Sequence, residues 1–366
     1  MSELKVEVVE INSIENHPNA DKLDLATVKG WACVVQKDRY KAGDKAIYFP
    51  IDSILPPEVE CKIFGIESKV KLIKSRVRTI KLRGAVSQGL IVPLELFGLQ
   101  KEKLGADLTK KLGVTKFEPP TAKSPQGKKG IKSVKQTNPN FRKYTSIENF
   151  KNYPDLFNES EVVVATEKIH GTNFRAGWVP YHAGSWWRKA LKFLRLTPQW
   201  EFVFGSHNVQ LQNKSFFYKG FYDENVYAQC VETYDLKKRL AYGEVIYGEI
   251  YGSGIQKDYH YGCANGERKL VVFDVMLDGV YMPYSKAKSY CIEKGFTTPP
   301  VLYCGPFDPE KLHALTSGPS ILAPKQEVRE GLVVKPVHEQ LSYVGRKILK
   351  LINNDYLLLQ DNTEFH

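Results

Sequence analysis

The stretch Glu161-Val162-Val163-Val164-Ala165-Thr166-Glu167-Lys168-Ile169-His170-Gly171-Thr172-Asn173 decides how the larger, C-terminal part of this chain folds. A short apolar run reads as a strand buried on both faces, and polar residues crowd its far end. There Lys168 meets a turn in which Gly171 lets the backbone bend away. A lysine at the end of a buried strand loses solvation, which favours the neutral amine, a nucleophile. Taken alone, a lysine before a glycine is a weak signal, since any strand that ends on lysine matches it. The segments around it must carry the weight.

Downstream, Tyr247-Gly248-Glu249-Ile250-Tyr251-Gly252 sets a carboxylate at a strand end between glycines, and Val272-Phe273-Asp274-Val275 sets an aromatic ring on a strand. Arg329-Glu330-Gly331-Leu332-Val333-Val334-Lys335-Pro336 supplies a second carboxylate, and Lys347 and Lys350 close the series. These are the parts nucleotidyl transfer needs: an amine, a ring to stack on a base, carboxylates for ribose and metal waters, and cations for phosphates. Apolar strands alternate with helical segments from 144 to 366, which predicts an α+β domain with several antiparallel strands.

Upstream, residues 1–115 predict a small β-barrel of the OB type, with Val6, Val8 and Val9, Ala32 to Val35, and Ala46 to Phe49 as strands between turn residues. From Lys69 to Arg83 there is no acidic residue, and a strand period of two would put Lys74, Arg76 and Arg78 on one face. That face reads as an RNA-backbone surface, or as a charged edge strand that guards against aggregation. Residues 116–143 read as a basic Pro/Gly/Ser linker. The segment from Pro180 to Pro198, with Trp186, Trp187, Arg188, Lys192 and Arg195, reads as an amphipathic packing helix or an RNA-facing lid.

The chain has 366 residues and a net charge of +11, which makes a polyanion the leading partner class. No segment approaches a membrane span and no signal peptide opens the chain, so an intracellular, cytoplasmic protein is expected, with no membrane partner. The six scattered cysteines lack zinc-ligand spacing and read as reduced.

In their order, the segments from Lys168 to Lys350 resemble motifs I to V of the covalent nucleotidyltransferase superfamily, which holds ATP-dependent ligases and mRNA capping enzymes. Glu167-Lys168-Ile169-His170-Gly171-Thr172-Asn173 looks most like the nick-sealing RNA ligases, in which histidine can stand in the usual K-x-D-G. Gly205-Ser206-His207-Asn208, Gly254-Ile255-Gln256, His17 to Leu23 and Lys81 to Leu90 resemble a narrower group, RNA ligases with an OB domain ahead of the adenylyltransferase domain.

The resemblance implies three in-line displacements. Lys168 takes AMP from ATP, AMP passes to an RNA 5′-phosphate, and a 3′-OH expels it. It also implies Mg²⁺ or Mn²⁺ held mainly through water by Glu249 and Glu330, with Lys168, Glu249, Glu330 and Lys350 as catalytic residues. Phe273 would stack on adenine, and Glu167, Ile169, Asn173, Ser206 and Lys347 would join the nucleotide contacts. RNA in duplex or RNA/DNA hybrid form is the implied substrate, acted on by a monomer.

Two features depart from the superfamily pattern. Lys347 and Lys350 are three apart, not two, so they cannot share a strand face. His170 replaces a carboxylate. A DNA ligase, a GTP-dependent capping enzyme and a non-catalytic RNA-binding protein are the competing readings. The first two usually carry their OB domain after the fifth motif.

Overall fold

The computed structural model describes residues 4–65, 72–117, 138–183, 193, 197–211, 225–256 and 259–359. Most of the linker, and Trp186, Trp187, Arg188, Lys192 and Arg195 of the 180–198 segment, lie outside these residues. The chain divides into two units. One comprises Met1–Pro119, Ser146–Phe157 and Leu349–His366, and the other Pro120–Thr145 and Asn158–Ile348.

The first unit is built from short antiparallel strands. Glu7–Glu10, Lys45–Phe49 and Leu90–Pro93 form one sheet, with Val8 opposite Ile47 and Ile47 opposite Val92. Ser13–Asn16, Leu23–Val28 and Trp31–Gln36 form a second. In Leu23–Val28 every second side chain is buried, the alternation that a half-buried strand dictates. Val6, Val8, Ile47, Phe49, Leu55, Val77, Val92 and Leu108 make the core. The strand Leu349–Ile352 also belongs here and runs parallel to Glu148–Asn149, with Lys350 opposite Asn149.

The expected cationic face of Lys74, Arg76 and Arg78 does not form. Ile73–Ser75 is a 3-10 turn in which Lys74 and Ser75 adopt left-handed φ of 55° and 53°, so strand parity is lost. Arg76 is buried instead. Its Nε donates to Asp52 Oδ1 at 2.8 Å, and its guanidinium lies 3.7 Å from the centre of the Phe117 ring. A buried arginine needs such a carboxylate, because desolvation of an unpaired charge is costly. Lys74 stays exposed and Arg78 is half-buried.

The second unit holds a six-stranded antiparallel sheet in the order Gln210–Leu211, Trp200–Gly205, Thr172–Pro180, Glu244–Gly252, Arg268–Leu277, Val280–Tyr281. Helices including Val226–Thr233 and Tyr284–Glu293 cover the face that carries Phe174, Ala176, Phe204, Ile246, Ile250 and Leu270. In a separate sheet Val162–Lys168 pairs antiparallel with both Gly331–Pro336 and Val301–Pro306. Val163, Val164 and Ala165 are all buried, as a strand flanked on both edges and covered on both faces requires.

Candidate active site

The pairing of Val162–Lys168 with Gly331–Pro336 sets Lys168 opposite Gly331 and therefore beside Glu330. Lys168 Nζ donates to Glu330 Oε1 at 2.6 Å. Glu330 is completely buried, and its other oxygen lies 3.7 Å from His170 Nδ1. His170, in the place of the usual carboxylate, is itself buried rather than open to a metal ion.

Glu167 points elsewhere, as strand alternation demands. Its Oε2 accepts the N–H groups of Ile321 and Leu322 at 2.8 and 3.3 Å. Ile169 is buried.

Gly171 ends the turn where it touches the other sheet. A Cβ here would stand 2.3 Å from the Ile250 carbonyl oxygen and 2.8 Å from Glu249 Cγ. Gln256 Nε2 donates to the Gly171 carbonyl at 2.6 Å. On the neighbouring strands Asn173 pairs with Glu249, so the Lys168–Gly171 turn, Glu249 and Asn173 converge.

Burial pushes the Glu249 carboxyl up to about 8; Glu330 adds to that, while Lys168 and the Gly171 N–H oppose it. The folded protein then binds more protons than the unfolded chain from about 4.5 to 8, so stability falls as pH rises through that window. Glu249→Gln removes the titration. Its ligand-free melting temperature should decline less between pH 5 and 8 than that of the wild type, by a few degrees. Parallel curves for the two proteins would show that Glu249 is not so perturbed.

Phe273 lines a recess together with Thr166, Pro299, Tyr284 and Lys335, and Thr166 shares a strand face with Lys168. Behind Phe273, the buried Asp274 gathers Lys335 Nζ at 3.1 Å, Arg346 Nη2 at 2.9 Å and the Tyr144 hydroxyl at 2.7 Å. Lys335 and Arg346 hold the Asp274 carboxyl below its ordinary range even though burial acts in the opposite direction. In the sequence Asp274 is no more than a neighbour of Phe273. Its partners Lys335, Arg346 and Tyr144 are 61, 72 and 130 residues away, and no spacing rule reveals them.

The turn at Ser206, His207 and Asn208 is braced rather than free. Arg175 Nε donates to the Ser206 carbonyl at 3.0 Å, the Val209 N–H donates to Ser206 Oγ at 3.2 Å, and Lys143 Nζ donates to Asn208 Oδ1 at 3.0 Å. Burial pushes His207 down to about 4, and the cations Arg175 and Lys143 add to it.

Lys347 departs from the expected nucleotide site. Its Nζ pairs with Glu161 Oε2 at 2.5 Å, seven residues before Lys168, which at strand rise is roughly 20 Å along the chain from Lys168. Lys350 lies buried in the first unit.

Two buried oxygens of the quoted motif, Glu167 Oε1 and Asn173 Oδ1, have no hydrogen-bond partner among the described residues. Native structures leave few such acceptors without a donor, and a ligand is one way to supply it. No group of three acidic, histidine or cysteine side chains among the described residues could hold a metal by itself. All six cysteines are free, and no helix among the described residues is long and apolar enough to cross a membrane.

The family described as RNA ligase matches residues 161–352, and an OB-fold domain matches residues 5–94. No curated protein matches the chain. Among solved structures it is similar to Naegleria gruberi RNA ligase with PPi, at 23% identity over 97% of this chain and 98% of that one, with a TM-score of 0.73. It is likewise similar to a Lys→Met variant of that ligase with AMP and Mn (23%, 96% and 97%, TM-score 0.73) and a Lys→Ala variant with ATP and Mn (22%, 96% and 98%, TM-score 0.73). The likeness is one of fold: α+β, with an OB domain followed by a nucleotidyltransferase domain of antiparallel sheets.

Proposed function

This chain belongs to the RNA ligase family, and from that premise we propose that it joins a 3′-OH to a 5′-phosphate through a lysyl-AMP on Lys168 and an RNA adenylate. The observation that carries the reading is the 2.6 Å contact between Lys168 Nζ and the buried Glu330, at the mouth of a turn that only glycine fits. ATP is the AMP donor. Phe273 is the ring proposed to stack on adenine, and Glu167 and Asn173, each with a buried oxygen that has no donor among the described residues, are proposed nucleotide contacts.

Glu249 and Glu330 are the residues to hold Mg²⁺ or Mn²⁺ through its water, since hard cations retain part of their hydration shell. When bound, the metal neutralises charge on the phosphates. Lys350 remains the candidate for the α-phosphate, and exposed Lys74 and half-buried Arg78 remain candidates for the RNA backbone. Residues 1–115 would bind RNA and 144–366 would carry the chemistry, in a monomer that works in the cytoplasm with its thiols reduced.

Incubation with α-labelled ATP or GTP tests this reading. Label on protein from ATP supports it, and label from GTP alone overturns it. Nicked duplexes with ribose or deoxyribose on each side of the nick then test the substrate. Sealing is expected to depend on ribose at the 3′-OH side, and equal sealing of all-DNA nicks would point to a DNA ligase.

A further inference from the structure

Lys168 and Glu330 stand 162 positions apart in the chain, and one loop outside their strands touches the segments of both. We propose that Tyr259 and Tyr261 are positioning residues that staple the Lys168–Gly171 turn to the segment leading into Glu330. The proposal rests on the lysyl-AMP reading above.

The Tyr261 hydroxyl accepts the His170 N–H at 2.8 Å, two residues past the nucleophile. The Tyr259 ring meets the His170 imidazole edge-on at 4.9 Å, and its hydroxyl donates to the Val328 carbonyl at 3.0 Å, two residues before Glu330. The two tyrosines touch each other with ring centres 5.9 Å apart, and Tyr261 leans on Tyr251 at 5.4 Å. Both are buried, at 1% and 5% exposure, so these contacts are shielded from water.

Tyr261 also holds a left-handed φ of 49°, an unfavourable conformation for a bulky side chain that persists only where its surroundings impose it. Burial keeps its phenol protonated far above neutral pH, so it receives the His170 N–H without placing a negative charge beside Glu330. Neither tyrosine needs to touch nucleotide. Each fixes backbone that carries a reacting side chain, and reaction rates respond steeply to displacements of about 1 Å.

Single-turnover formation of lysyl-AMP is to be measured for the wild type, Tyr261→Phe, Tyr259→Phe and Tyr251→Phe. Tyr251 packs in the same cluster, but its hydroxyl makes no hydrogen bond among the described residues and serves as the control. Loss of one buried hydrogen bond at the reacting turn is expected to slow Tyr261→Phe and Tyr259→Phe about tenfold at saturating ATP. Half-saturating ATP should stay within about twofold of the wild type, and Tyr251→Phe should keep the wild-type rate.

Sealing of a strand supplied already adenylated bypasses attack by the amine. It should slow less than lysyl-AMP formation in both variants, and either variant that folds suffices for this comparison. Undiminished rates overturn the staple, as does equal loss in both steps or the same loss in Tyr251→Phe. If the wild type takes no label, the lysyl-AMP reading has failed; a labelled wild type with unimpaired variants sinks only the staple.

Discussion

Lys168→Ala is expected to take no label from α-labelled ATP, a loss of about 10³-fold or more, while it still seals a strand that arrives already adenylated. On the lysyl-AMP reading, the Lys168 amine supplies the nitrogen that bonds to phosphorus, and an alanine methyl cannot. Sealing the adenylated strand requires the 3′-OH as nucleophile, so that step should survive with a smaller deficit. The substitution also removes the ammonium that pairs with Glu330, which is completely buried. Removing one member of a buried pair costs about 3–5 kcal/mol, so the melting temperature should fall as well. Label retained by a folded Lys168→Ala protein would move the nucleophile elsewhere.

Gly171→Ala is expected to cost about a hundredfold in lysyl-AMP formation, the scale that a displacement near 1 Å produces at a reacting centre. The reason is space. The added methyl would lie 2.3 Å from the Ile250 carbonyl oxygen, which belongs to the central sheet and cannot move aside cheaply, and 2.8 Å from Glu249 Cγ. Relief requires the turn to shift, and Lys168 shifts with it. The measurement is the single-turnover rate beside a thermal melt. A rate within threefold of the wild type would show that the turn has slack the structure does not suggest.

The strand that ends on Lys168 is legible because unbroken apolarity has few readings, and the strand Trp31–Gln36 is legible from Ala32 to Val35 between turn residues. The convergence of Glu249 and Glu330 on Lys168 followed from the ordered resemblance, and strand pairing gives it a physical form. What stayed hidden depends on distant pairing or on turns. Arg76 looked exposed because parity was carried through Ile73–Ser75, where a 3-10 turn with two left-handed residues breaks it, and because Asp52 lies 24 positions away. The resemblance implies a nucleotide contact for Lys347, whereas its partner Glu161 is 186 positions away and unmarked by any motif spacing. Tyr259 and Tyr261 act through hydroxyls on backbone groups, an interaction that leaves no periodicity in a sequence.

The hydrogen bonds that align Lys168 with Gly331 close a loop of more than 160 residues. Contacts so remote form late and slowly, because the chain must give up the entropy of everything between them first. A nascent chain that has emerged only as far as the Thr172–Pro180 strand already displays the whole Lys168 segment, yet lacks Glu330, the carboxylate that pairs with the Lys168 amine. On the lysyl-AMP reading, adenylation would then require the completed chain, because the carboxylate beside Lys168 comes 162 positions later.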